Sequence, residues 1–109
     1  MDYLQVATTI DSAEGAEALA RALVDERLAA CVQVHGPIRS IYRWDGAVQQ
    51  SQEWLCTAKT TTERFDALRA AILRLHPYDV PEVVATPIVT GNPEYLTWIR
   101  AETALDAAV

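Results

Sequence analysis

Two β-forming runs hinged on Asp45-Gly46 constrain this chain more than anything else in it. Asp-Gly between strand formers signals a two-residue type I′ turn, whose twist suits two antiparallel strands. The run before it, AACVQVHGPIRSIYRW, and the run after it, through Trp54, Leu55, Cys56 and Ala58 to Lys59-Thr60, far exceed the usual strand of about five or six residues. In a chain of 109 residues, hairpin arms of that length project beyond the core and expose unpaired edges that something must cover. Gly36-Pro37 should bulge or bend the first arm, because proline cannot donate to a ladder.

The remaining segments arrange themselves around the hairpin. Residues 2–9 alternate through Tyr3, Leu4, Val6, Thr8 and Thr9 as a first strand. Asp11 then starts a helix, with Glu14 completing a capping box. Ala16, Leu19, Ala20, Leu23, Val24 and Leu28 form its apolar stripe, and Glu17 faces Arg21 on the wet side. A second helix opens in TTTERF, capped by Thr60 or Thr61, and buries Phe65, Leu68, Ile72 and Leu75. It ends at His76, because Pro77 forbids continuation. EVVATPIV reads as a fourth strand, with Pro87 at an edge or bulge. Asn92-Pro93 opens a short third helix, Asn as cap and Pro in its first turn, packing through Tyr95, Leu96, Trp98 and Ile99. The order is βα, ββ, αβ, then α. That predicts one domain, residues 1–109, of α+β class: a ferredoxin-like βαββαβ plait with both main helices on one face and a short C-terminal helix.

Charge narrows the partners. The net charge is -6, and the nine basic residues are scattered, whereas a phosphate backbone is gripped by clustered Lys and Arg. Nucleic acid is therefore not expected. No apolar run approaches the roughly 20 residues that span a bilayer, and MDYLQVATTI lacks the basic start of a signal peptide, so a cytoplasmic location is the expectation. Cys31 and Cys56 fall on opposite arms. In a regular hairpin closed by Trp44 and Ala47, Cys56 faces His35, which leaves Cys31 about 13 Å away along the strand and beyond disulfide reach. Both thiols should be free.

The candidate chemistry is sparse. No Gly-rich phosphate loop, serine-nucleophile motif or paired-cysteine spacing occurs, and no enzyme activity is expected. HPYDVPEV poses the main question. His76 serves a helix C-terminus well, where the dipole favours it, but it is also a metal-ligand candidate. Asp79 suits a turn. Glu53 and Lys59 lie on one face of one strand and could hold a polar ligand in a crevice. Tyr42 and Trp44, near the hairpin tip, suit packing against a partner chain.

RALVDERLAACVQV, IRSIYRWDGAVQQSQEWLCTAKTT and LHPYDVPEVVATPIVTGNPEYLTWI, in that order, closely resemble the CutA divalent-cation tolerance proteins over nearly the whole chain. The resemblance implies a compact homotrimer, similar in architecture to the PII signalling proteins, in which long arms pair with neighbouring subunits. Tyr42, Trp44 and Trp54 are then the candidate interface anchors. It also implies a role in tolerance of copper or other divalent cations, with Cu²⁺ or another divalent ion bound at an intersubunit site. Ligands reported for some members are a cysteine near the end of strand 1 and a histidine pair before Pro-Tyr. Here those positions hold Ala7 and Leu75-His76, so His76 alone remains. The PII-like architecture implies an alternative, a small polar metabolite in the intersubunit cleft, contacted by Glu53, Lys59, Tyr78 and Glu82. A trimeric scaffold for another protein is a further alternative.

Overall fold

The computed structural model describes residues 2–105. Its elements run β1 (Tyr3–Ile10), α1 (Ala13–Asp25), β2 (Cys31–Trp44), β3 (Ala47–Thr61), a 3₁₀ turn (Thr62–Arg64), α2 (Phe65–Leu75), β4 (Val84–Pro87) and α3 (Pro93–Thr103). The four strands form one antiparallel sheet in the order β2-β3-β1-β4, the ferredoxin-like plait. Asp45 and Gly46 both take positive φ, 53° and 76°, as a type I′ turn requires, and Trp44 pairs with Ala47 across it.

The register of the arms slips once, between His35 and Ile38. Beyond the slip Cys56 faces Val34, not His35: the Gly36-Pro37 bulge shifts the regular pairing by one residue. Cys31 pairs with Lys59, three positions away, and both thiols are free. Gly36 lies under the indole of Trp54, where a Cβ would come within 2.4 Å of the ring.

Alternation along β1 and β3 sends Val6 and Ala58 to the helical face, where they meet Leu19, Leu23 and Leu28 beside Leu68, Ala71 and Ile72. A smaller cluster of Ile10, Ala16 and Cys56 continues toward the arm and takes Trp54 against it. Thr60 donates to the carbonyl of Leu28 at 2.7 Å, tying the loop after α1 to the sheet.

Helix ends depart from expectation in two places. Ser12, not Asp11, caps α1, its hydroxyl accepting from Gly15 N–H at 2.9 Å. Neither Thr60 nor Thr61 caps α2, because β3 runs on through Thr61 and the 3₁₀ turn intervenes. The buried stripe of α2 is Leu68, Ala71 and Ile72; Leu75 is exposed and Phe65 only half-buried. β4 is four residues long, shorter than EVVATPIV. Asn92 caps α3 through Glu94 N–H as expected, but of its packing residues only Ile99 is buried. Glu17 and Arg21 pair at 3.2 Å.

Candidate functional site

Thr9, Leu55 and Glu53 alternate with the core residues of β1 and β3, so they lie on the face of the sheet turned away from α1 and α2. The arm leaves the body here, and the chain between α2 and β4 passes alongside. The result is a cleft of about 530 Å³ lined by Thr9 and Glu53 from the sheet, Ser40, Ile41, Tyr42 and Trp44 from the arm, and Tyr78, Val80 and Glu82 from the connection.

His76 sets the path of that connection. Pro77 ends α2, and His76 turns to extended backbone at φ -82°, ψ 139°. The residue is 7% exposed and both ring nitrogens are engaged. Nδ1 accepts the N–H of Tyr78 at 3.1 Å, so Nε2 carries the ring proton and donates it to the carbonyl of Thr9 at 2.7 Å. The bond from ring to the N–H two residues on is the one an Asn or Asp side chain makes in a turn. The Tyr78 ring then stands edge-on to the imidazole at 4.6 Å and donates its hydroxyl to Glu53 Oε2 at 2.7 Å.

Glu53 is 7% exposed, an unusual degree of burial for a carboxylate. Burial first, then the hydrogen bond to Glu53 and its negative charge, push the Tyr78 phenol well above its ordinary range; it remains a proton donor throughout the physiological range. Glu82 accepts a long hydrogen bond, 3.4 Å, from the hydroxyl of Thr9. The cleft thus presents two carboxylates, hydroxyls and aromatic rings, and among the described residues its lining includes no basic side chain.

The predicted site residues divide. Glu53, Tyr78 and Glu82 come together here, joined by Tyr42 and Trp44. Lys59 does not: six residues from Glu53 along β3, about 20 Å, it donates instead to Gln33 at 2.8 Å. Trp54, half-buried, packs within the chain beside Ile10, Ala16 and Cys56. Among the described residues no three His, Cys, Asp or Glu side chains converge as a metal site, and Ala7 and Leu75 supply no donor beside His76. As folded, the imidazole offers a metal no free lone pair. Thr9 and Ser40 escaped the sequence reading, since only the strand register shows that they face the cleft.

A family model described as CutA1 divalent ion tolerance protein matches residues 4–102. The chain is 52% identical over 98 residues to the divalent-cation tolerance protein CutA of Thermus thermophilus, covering 90% of this chain and 95% of that one. A solved structure of the Thermus thermophilus protein superimposes with a TM-score of 0.92 at 50% identity, over 94% of this chain and 99% of the other. Protein CutA 1 of rice, described as chloroplastic, is 42% identical over 98 residues, 90% of this chain but 55% of its own. A structure from Archaeoglobus fulgidus, described as a periplasmic divalent cation tolerance protein, matches with a TM-score of 0.90 at 34% identity, over 93% of this chain and 98% of the other. These relatives overturn the expectation of a cytoplasmic location. Relatives of this sequence pattern are described as chloroplastic and periplasmic, and the strand-like character of residues 2–9 does not fix a compartment.

Proposed function

The chain belongs to the CutA1 divalent ion tolerance family, and from that premise we propose that it serves divalent-cation tolerance as a homotrimer, binding positively charged ligands in the cleft between arm and body. The observation that carries this reading is that buried Glu53 and Glu82 line one cleft in which the described residues include no basic group. Such a site rejects phosphates and other anions and attracts cations. Its donors are all oxygens, which suit Mg²⁺ or Mn²⁺, ions that retain several waters and bind through one or two carboxylates. Copper prefers imidazole and thiolate, and His76 is already committed to two hydrogen bonds. The phenol of Tyr78 keeps its proton and serves the cleft as a hydrogen-bond donor to Glu53.

Calorimetric titration of Mn²⁺ and Cu²⁺ into wild type, Glu53→Gln and Glu82→Gln tests the proposal. Both ions should bind weakly, and each substitution should weaken Mn²⁺ at least tenfold. Unchanged binding in both variants removes the cleft from consideration. A second reading has its own support in Tyr42 and Trp44, whose rings suit an organic cation better than a hydrated ion. Tetramethylammonium that binds wild type but not Trp44→Ala would favour that class.

A further inference from the structure

We propose that His76 is the positioning residue of this cleft, a ring that sets Glu53 through Tyr78 and, through a second hydrogen bond, ties the α2–β4 connection to β1. One branch runs from Nδ1 to the N–H of Tyr78, and from the Tyr78 hydroxyl to Glu53. The other runs from Nε2–H to the carbonyl of Thr9, the residue whose hydroxyl reaches Glu82. The first branch places a loop residue and the second anchors that loop to β1, so one ring decides how the α2–β4 connection meets the sheet. Ordinary packing does not explain this arrangement. A histidine that merely stopped α2 would need one hydrogen bond to spent carbonyls or water, whereas this ring is buried, bonds at both nitrogens and stands edge-on to the tyrosine it places. The tautomer follows from the partners: Nδ1 faces a donor and must be unprotonated, Nε2 faces an acceptor and must carry hydrogen.

The two branches can be separated by substitution. Asn at this position retains a carbonyl oxygen near Nδ1, able to accept from the N–H two residues on, and loses the reach to Thr9. Gln retains a donor at the reach of Nε2 and loses the turn. Leu keeps volume and loses both. The binding role rests on the cleft reading above, so the test uses two independent measurements on the intact protein. The first is the hydroxyl proton of Tyr78 in the NMR spectrum, held in slow exchange by Glu53 and assigned by its disappearance in Tyr78→Phe. The second is calorimetric Mn²⁺ binding.

His76→Asn should retain the Tyr78 hydroxyl signal and bind Mn²⁺ within about threefold of wild type. His76→Gln and His76→Leu should lose the signal and weaken Mn²⁺ at least tenfold. A signal that persists in the Gln and Leu variants overturns the positioning role. A signal lost while Mn²⁺ binding is unchanged upholds the chain from His76 to Glu53 and overturns the cleft as the binding site. Should His76→Leu fail to fold, the Asn and Gln pair alone decides the matter.

Discussion

At Cys56 the thiol is 1% exposed and lies 3.9 Å from the carbonyl of Ala16, with Ile10 beside it. Burial pushes its pKa up, and the thiolate is the reactive form. Native protein should therefore resist alkylation at Cys56 at pH 8, and unfolding should expose two titratable thiols per chain. Mass spectrometry after iodoacetamide, with and without denaturant, checks both, and native labelling at Cys56 as fast as in denaturant would contradict the packing. The sign of the linkage is fixed. A folded-state pKa above the unfolded one adds stability while both states keep the proton, and that contribution fades as pH climbs through the ordinary thiol range toward the folded value.

Among the elements, the hairpin shows how much of this fold could be read in advance and where reading stopped. Its turn, its length and the Gly36-Pro37 irregularity follow from residue types alone, because positive φ, β-branching and the missing proline N–H act locally. What the irregularity accomplishes is not local. Gly36 leaves room for the Trp54 ring eighteen positions later, and a Cβ there would meet the indole at 2.4 Å. Gly36→Ala must displace Trp54 from Ile10 and Ala16, at a cost of about 1–3 kcal/mol typical of overpacking. Chemical denaturation should show the midpoint falling with an unchanged slope; an unaltered midpoint would mean the arm root yields freely. The candidate site divides in the same way. That His76 stops α2 was legible from Pro77, whereas Glu53, Tyr78 and Glu82, which line one cleft of the chain, are grouped by the sequence only as contacts of an intersubunit cleft that the family resemblance implies. The engagement of both imidazole nitrogens depends on Thr9 arriving from 67 residues away, which no local pattern reports. Lys59 shares a face with Glu53 but lies too far along the strand to join this cleft within one chain.

For the molecule as a whole, shape is the strongest argument about assembly. The described chain measures 49 × 29 × 21 Å with a radius of gyration of 14.6 Å, against about 13 Å for a compact domain of this length. The excess is the arm, and its far end carries Ile41, Trp44 and Val48, at 66%, 56% and 63% exposure. One sheet edge is β2, 14 residues long, and among the described residues no further strand pairs with its outer side. A lone chain with such an edge and such a tip invites association. An arm reaching onto a different surface of its neighbour makes a head-to-tail contact, which stays finite only if the rotation closes into a ring. The proposed homotrimer is the smallest such ring. Light scattering at micromolar concentration should give about three times the 12.0 kDa chain mass. Trp44→Glu, which places a charge at the arm tip, should shift the mass toward monomer and lower the thermal midpoint, with the shift larger on dilution because association is linked to stability. Wild type running as a stable monomer would refute the assembly, and a Trp44→Glu protein still three chains in mass would move the contact away from the tip to the long edge of β2.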